Sequence, residues 1–254
     1  MSQAQISSKS NEEVMSLTGH LKELKNRIAI CLLVLVVAFL FIFQYASTVV
    51  DYLTALGTAA NYQFVYLSPQ ELFMQYIKIA GIGALVATSP VILYEIWAFM
   101  RPALTKAENF TMFFAMVAGL GFFALGVAFA YFIALPFMLF FFTNINTTAV
   151  VSSSISIAEY ISFLLSIFLM FGVVFELPVV TVILTQLGLL KPEWMISGRP
   201  FAIIIIFVVG ALITPPDAVS QCMIAIPMVL LYQVSIYLCK VFTKRKKKKD
   251  ESDS

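Results

Sequence analysis

Charge is what this sequence has least of. Only 12% of its 254 residues are Asp, Glu, Lys or Arg while 61% are hydrophobic, against about 25% charged residues in an ordinary globular domain. That deficit excludes a soluble fold, which could not hide so much apolar surface. Histidine occurs once, at His20, outside every long apolar run, so Ser/His hydrolysis within a bilayer is excluded. No glycine-rich loop able to cradle a phosphate is present. The three cysteines, Cys31, Cys222 and Cys239, have separations that suit neither a metal site nor a disulfide framework, and they read as small apolar packing residues. Without clustered nucleophiles or metal ligands, neither an enzyme nor a cofactor or metal is expected, and nothing points to nucleic acid.

What the chain does have is long uncharged runs. A bilayer core of roughly 30 Å takes about 20 apolar residues per helix, so there is room for about six spans and no second domain. The expected fold is an all-α integral membrane protein, residues 1–254 forming one transmembrane domain. An amphipathic segment at about 14–27, with Leu17, Leu21 and Leu24 at helical spacing opposite Lys22, Lys25 and Arg27, is expected on the inner surface. The first span is expected from Ile28 to Val50, and Asp51 to Leu67 as an outer cap. Ser68, Pro69 and Glu71 form a capping box for span two, and Ser156 with Glu159 another for span four. Gly119, Gly121 and Gly126 allow close helix approach in span three, whose outer end Pro136 is expected to kink. Span five is short, because Phe201 to Thr214 lies between Pro200 and Pro215, and span six follows the Pro215, Pro216, Asp217 turn.

Cations fix the expected orientation. Lys9, Lys22, Lys25 and Arg27 precede span one, Arg101 and Lys106 lie in one polar break, Lys191 and Arg199 in another, and Lys240 with Lys244 to Lys249 close the chain. These alternate with six spans if both termini are cytoplasmic, the last as a basic tail over 243–254.

Glu176 is the sharpest anomaly, an acid well inside span four two residues before Pro178. Such a carboxyl is costly unless protonated, paired or facing a wet cavity, so it reads either as a functional polar site or as a neutral group bonding a neighbouring helix. Lys78 and Glu95 lie nearer the ends of span two, where snorkelling toward the headgroups is expected. Asp217 and Gln221 read equally as caps or as partner contacts. Glu23 is four residues from Arg27, a favourable helical ion pair, and Glu108 completes a capping box with Thr105.

In order along the chain, His20-Leu21-Lys22-Glu23-Leu24, Ser89-Pro90 through Phe99, Pro102-Ala103-Leu104 with Glu108, Phe171-Gly172 with Phe175 to Pro178, and Thr214 to Asp217 with Ser220-Gln221 together resemble the TatC family of twin-arginine translocase receptors. Lys25 departs from the arginine usual there, and the first outer segment lacks a proline usual near Leu53 to Leu56. The resemblance implies a cup-shaped six-helix fold with short fifth and sixth spans in a bacterial cytoplasmic membrane. It implies binding of twin-arginine signal peptides of folded cargo at Glu23 and Glu108, with Lys25, Phe99 and Pro102 beside them. It implies partner-helix contacts at Thr214, Gln221 and Asp217, assembly with single-span TatB and TatA, other copies of itself and lipid, and transport driven by the proton-motive force. An ion-coupled small-solute carrier using Glu176 is the alternative, and it requires a solute-sized pocket at the membrane midplane.

Overall fold

The structure is a computed structural model that describes residues 3–60, 62–101, 106–145, 154–214 and 217–252. Pro102, Thr105, Pro215, Pro216 and most of the loop expected at 143–154 lie outside the described residues. Among the described residues ten α-helices follow one another: α1 Gln3–Gln44, α2 Ala46–Ala59, α3 Glu71–Met100, α4 Lys106–Phe129, α5 Leu135–Ile145, α6 Ile157–Phe175, α7 Leu177–Gln186, α8 Pro192–Ser197, α9 Arg199–Ile213 and α10 Ala218–Ser252. Among the described residues five stretches are long and apolar enough to cross a membrane, namely Leu21–Gln44, Glu71–Phe99, Met112–Asn144, Ile157–Gln186 and Ala218–Lys244. Helix α9, where a short fifth span is expected, is apolar but has 15 residues, which at 1.5 Å each is about 22 Å, short of an undistorted core.

Helix α1 is continuous through Ile28, so the segment at 14–27 leads straight into the first span on one helix axis. Several expected boundaries move. That span ends at Gln44, with a break at Tyr45, and Ser47 to Val50 belong instead to the cap helix α2, which buries Ala46, Val50, Leu53 and Gly57. The end of the bundle carrying α2 also has two strands that an all-α reading lacks, β1 Gln63–Val65 and β2 Ser154–Ser156, paired in parallel with Phe64 opposite Ile155. Next to them Tyr62 is buried and donates to the Leu139 carbonyl at 3.4 Å, and burial pushes its phenol above the ordinary range.

The caps divide. Ser156 caps α6 by accepting from the Ala158 amide at 3.2 Å. The box expected at Ser68 does not form. Helix α3 starts at Glu71 without a side-chain cap, and the Glu71 carboxylate instead accepts from the Leu67 amide at 3.2 Å and from the Ser156 hydroxyl at 3.4 Å. One acid thereby ties the start of α3 to the cap of α6.

Helix α6 is the axis of the bundle, with Ile161, Leu164, Ile167 and Phe171 all fully buried. Helix α4 packs along α6 and α7, α10 along α7 and α9, and α3 against α1 and α6. Helix α1 rests mainly on α3 and leaves most of its apolar surface outward, as a lipid-facing helix does. Glycine decides the α4–α6 approach: a Cβ on Gly126 would stand 2.4 Å from the Phe171 carbonyl oxygen, closer than any side chain allows. Gly121, grouped with it on the sequence, has nothing within 4 Å and plays no part in that contact. A π-helical segment, Ala130–Ala134, joins α4 to α5 immediately before Pro136, so the expected kink is an inserted wide turn that absorbs the missing proline amide. Of the cysteines, Cys239 is buried but Cys222 is exposed, so packing accounts for the first and not the second.

Candidate functional site

Two places hold charge against the apolar background. The first is the end of the bundle where α1 enters, α3 leaves and α4 begins, the end at which the cations gather. Glu23 and Arg27 lie one helical turn apart on α1, which brings their side chains together. Arg27 donates from Nε and Nη2 to Glu23 Oε1 at 3.0 and 2.6 Å. Its remaining arm, Nη1, reaches across to Glu95 Oε2 on α3 at 2.7 Å. Glu95 therefore does not snorkel as expected; it accepts a charged hydrogen bond from a helix 68 positions away. The side chain of Glu95 is 13% exposed, that of Arg27 22% and that of Glu23 40%, so the cluster grades from the bundle outward. Lys25 is exposed. Phe99 is half-buried near the end of α3. Glu108 falls in the first turn of α4 and hence at the same end, although its side-chain surroundings, like Pro102, lie outside the described residues.

An aromatic cluster that the sequence reading missed borders this end. The Trp97 ring lies 5.7 Å from Tyr94 and 5.8 Å from Phe113, and the Arg101 guanidinium sits 5.4 Å from its centroid, a cation–π distance. Its indole Nε1 is buried with no hydrogen-bond partner among the described residues. The i, i+3 spacing of Tyr94 and Trp97 was the available signal.

The second place is Glu176. The backbone departs from the helix there: α6 stops at Phe175, α7 starts at Leu177, and Pro178 stands at the beginning of α7, where its missing amide is harmless. Glu176 lies ten residues from the end of α7 at Gln186, about 15 Å along the helix. Its carboxyl is half-buried and borders a cavity of about 430 Å³ lined by Leu93 and Trp97 of α3, Met116 of α4 and Val180 of α7. No hydrogen bond or ion pair to this carboxyl forms among the described residues. Across from it stands Gly119, where a Cβ would lie 2.9 Å from Glu176 Oε2. The helix facing the acid thus leaves it room.

The residues expected to meet partner helices are used within the α9–α10 hairpin. Thr214 is 5% exposed, and its hydroxyl donates to the Gly210 carbonyl at 3.0 Å. Gln221 Nε2 donates to the Phe207 carbonyl at 2.9 Å, stitching the two helices together. Asp217 Oδ1 accepts from the Ser220 amide at 2.7 Å, which makes it the cap of α10. Lys78, expected to snorkel, donates to Ser162 Oγ at 2.9 Å, and that hydroxyl in turn donates to Gln75 Oε1 at 3.3 Å.

A cavity of solute size is what the carrier alternative needs, but this one offers a polar solute little beyond a single carboxyl. Comparison with known proteins decides the matter. The family model described as Sec-independent protein translocase protein (TatC) matches residues 19–227. The Sec-independent protein translocase protein TatC of Aquifex aeolicus (strain VF5) is 37% identical over 236 residues, 92% of this chain and 98% of that protein. TatC of Escherichia coli (strain K12) is 33% identical over 243 residues, 94% of each. A crystal structure of a twin arginine translocase receptor, TatC, matches with a TM-score of 0.79 and 36% identity, covering 88% of this chain and 99% of that one. A family model spanning most of the chain, relatives above 30% identity over nearly their whole length, and a shared fold lead to one conclusion: the chain belongs to the TatC family and is a multi-pass membrane component of a Sec-independent protein translocase.

Proposed function

We propose that this protein is the receptor that admits folded cargo to the twin-arginine pathway, binding the paired arginines of the signal peptide with Glu23 and Glu108. The observation that carries this reading is that Glu23 already holds an arginine fork, accepting two bonds from Arg27 at 2.6 and 3.0 Å. The carboxylate is at once accessible and shaped for a guanidinium. Arginine's planar fork suits such a site better than an ammonium, so twin-lysine peptides bind markedly worse. Phe99 and Pro102 shape the ledge between the two acids, and Lys25 flanks it.

In this reading both termini are cytoplasmic, the membrane is the bacterial inner membrane, and the protein works with other copies of itself and with single-span TatB and TatA. Transport draws on the proton-motive force. The bonds of Thr214, Gln221 and Asp217 set the shape of the hairpin against which a partner's helix docks, the apolar contact itself coming from exposed Leu212 and Val219. Glu176 supplies the one polar contact for a helix entering the cavity.

Glu108→Gln tests the receptor reading, because it keeps helix-capping geometry while removing the charge. Crosslinking of a twin-arginine signal peptide to this well-inserted variant should fall by roughly tenfold or more, the loss expected for a charge-assisted contact. Binding equal to wild type would reduce Glu108 to a cap. The orientation has its own check: a membrane-impermeant thiol reagent added from outside should label Ser152→Cys and spare Thr105→Cys, and the reverse pattern would invert the topology.

A further inference from the structure

The carboxylate assigned to an incoming arginine is, in the empty protein, occupied by one of the protein's own. Arg27 has two partners on two helices. Its Nε/Nη2 edge is on Glu23 and its Nη1 on Glu95, so it can release one carboxylate without losing an anionic partner altogether. Guanidinium is the side chain able to do this, because its donors point in several fixed directions from one plane.

We propose that Arg27 is a built-in competitor for the signal-peptide site, holding Glu23 in the empty receptor and withdrawing onto Glu95 alone when a peptide arginine takes Glu23. This rests on the twin-arginine reading above. Glu95 is then a positioning residue that never touches the peptide; it sets how readily the site is vacated. The burial order fits the assignment, since Glu95 is the more enclosed acid and Glu23 the one a ligand can reach. A further consequence is selectivity: an ammonium cannot replace the two-bond edge that Arg27 gives up, so a lysine displaces it less readily than an arginine does.

The test is a double-mutant cycle read by fluorescence anisotropy of a labelled twin-arginine signal peptide binding to the full-length protein in lipid nanodiscs. Glu95→Gln removes the anion to which Arg27 withdraws, so it should weaken binding by about five- to tenfold, as expected for groups sharing one partner. Arg27→Gln removes the competitor and should tighten binding. On the Arg27→Gln background the Glu95→Gln change should alter affinity by less than about twofold. Wild-type affinity in Glu95→Gln, weaker binding in Arg27→Gln, or an equal Glu95→Gln loss on both backgrounds would each overturn the proposal, the last by making Glu95 a peptide contact or a purely structural group. Should Arg27→Gln fail to insert, Arg27→Met replaces it: a thioether donates to neither acid, so the Glu95→Gln loss should shrink at least by half, and an undiminished loss counts against the competitor. A wild-type protein that binds no twin-arginine peptide would remove the receptor reading itself, whereas binding without this coupling removes only the role of Arg27.

Discussion

Glu95, near the end of α3 where cations gather, and Glu176, at the break between α6 and α7, are acids that the protein treats in opposite ways. Around Glu95 two helices close an ion pair: α1 offers Arg27, and the acid is both shielded and neutralised. Around Glu176 the neighbouring helix offers Gly119, with no side chain, and beyond it an apolar cavity. One acid is finished within the chain. The other is left with room in front of it, although an intramembrane carboxyl is costly unless it is paired, protonated or wet.

The contrast can be broken most sharply at Glu176. Glu176→Leu should lower export of a twin-arginine reporter by about tenfold or more while the protein still inserts, whereas Glu176→Gln, which keeps hydrogen bonding, should retain most of the activity. Normal export by a well-expressed Leu variant would mean that the carboxyl is merely tolerated. A smaller effect is expected opposite it. Gly119→Val places atoms where the carboxyl now stands and should reduce export by roughly threefold, while Gly121→Val, two residues along the same helix but facing open space, should leave it unchanged. Equal loss in both variants would point to helix α4 itself rather than to the acid's clearance. The smallest change is at the opposite end of the bundle. Lys78→Met removes an exposed lysine's bond to Ser162 and should shift the thermal midpoint in detergent by no more than about 2 °C, because exposed charged contacts contribute little. A fall of about 5 °C or more would place Lys78 with Glu95 among the paired charges that hold helices together.

Much of this was legible from residue order. The number of apolar runs, the shortness of α9 between Pro200 and Pro215, the bend at Glu176 and Pro178 and the disturbance ahead of Pro136 are all consequences of bilayer thickness and of proline's missing amide, and both act locally. Glu23 with Arg27 was visible for the same reason, being four residues apart on one helix. What escaped was set by distance along the chain. Nothing within a window of Glu95 announces Arg27, and a snorkelling acid and a paired one have the same local pattern. Glu71 shows the limit in reverse. Its spacing from Ser68 fits a capping box, yet a hydroxyl 85 positions away, that of Ser156, wins part of the carboxylate. The strands went unseen because three residues carry too little periodicity to register. For the sites, Glu176 was singled out on chemistry and Glu23 only through the family resemblance, while Thr214 and Gln221 spend their hydrogen bonds inside the hairpin.

The short parallel pairing of Gln63–Val65 with Ser154–Ser156 has a mechanical meaning. The second strand runs directly into α6 and the first ends six positions before α3 begins, and Glu71 bonded to Ser156 adds a second rivet at the same spot. A displacement at that spot is carried along the helices on a lever that lengthens away from it. Leu85, the first α3 residue lining the Glu176 cavity, is 14 positions beyond Glu71, about 21 Å along the helix. Trp97, nearer the far end, stands at almost twice that distance. A tilt imposed at the strands would therefore be magnified most beside Glu23 and Glu95, at the opposite end of the bundle.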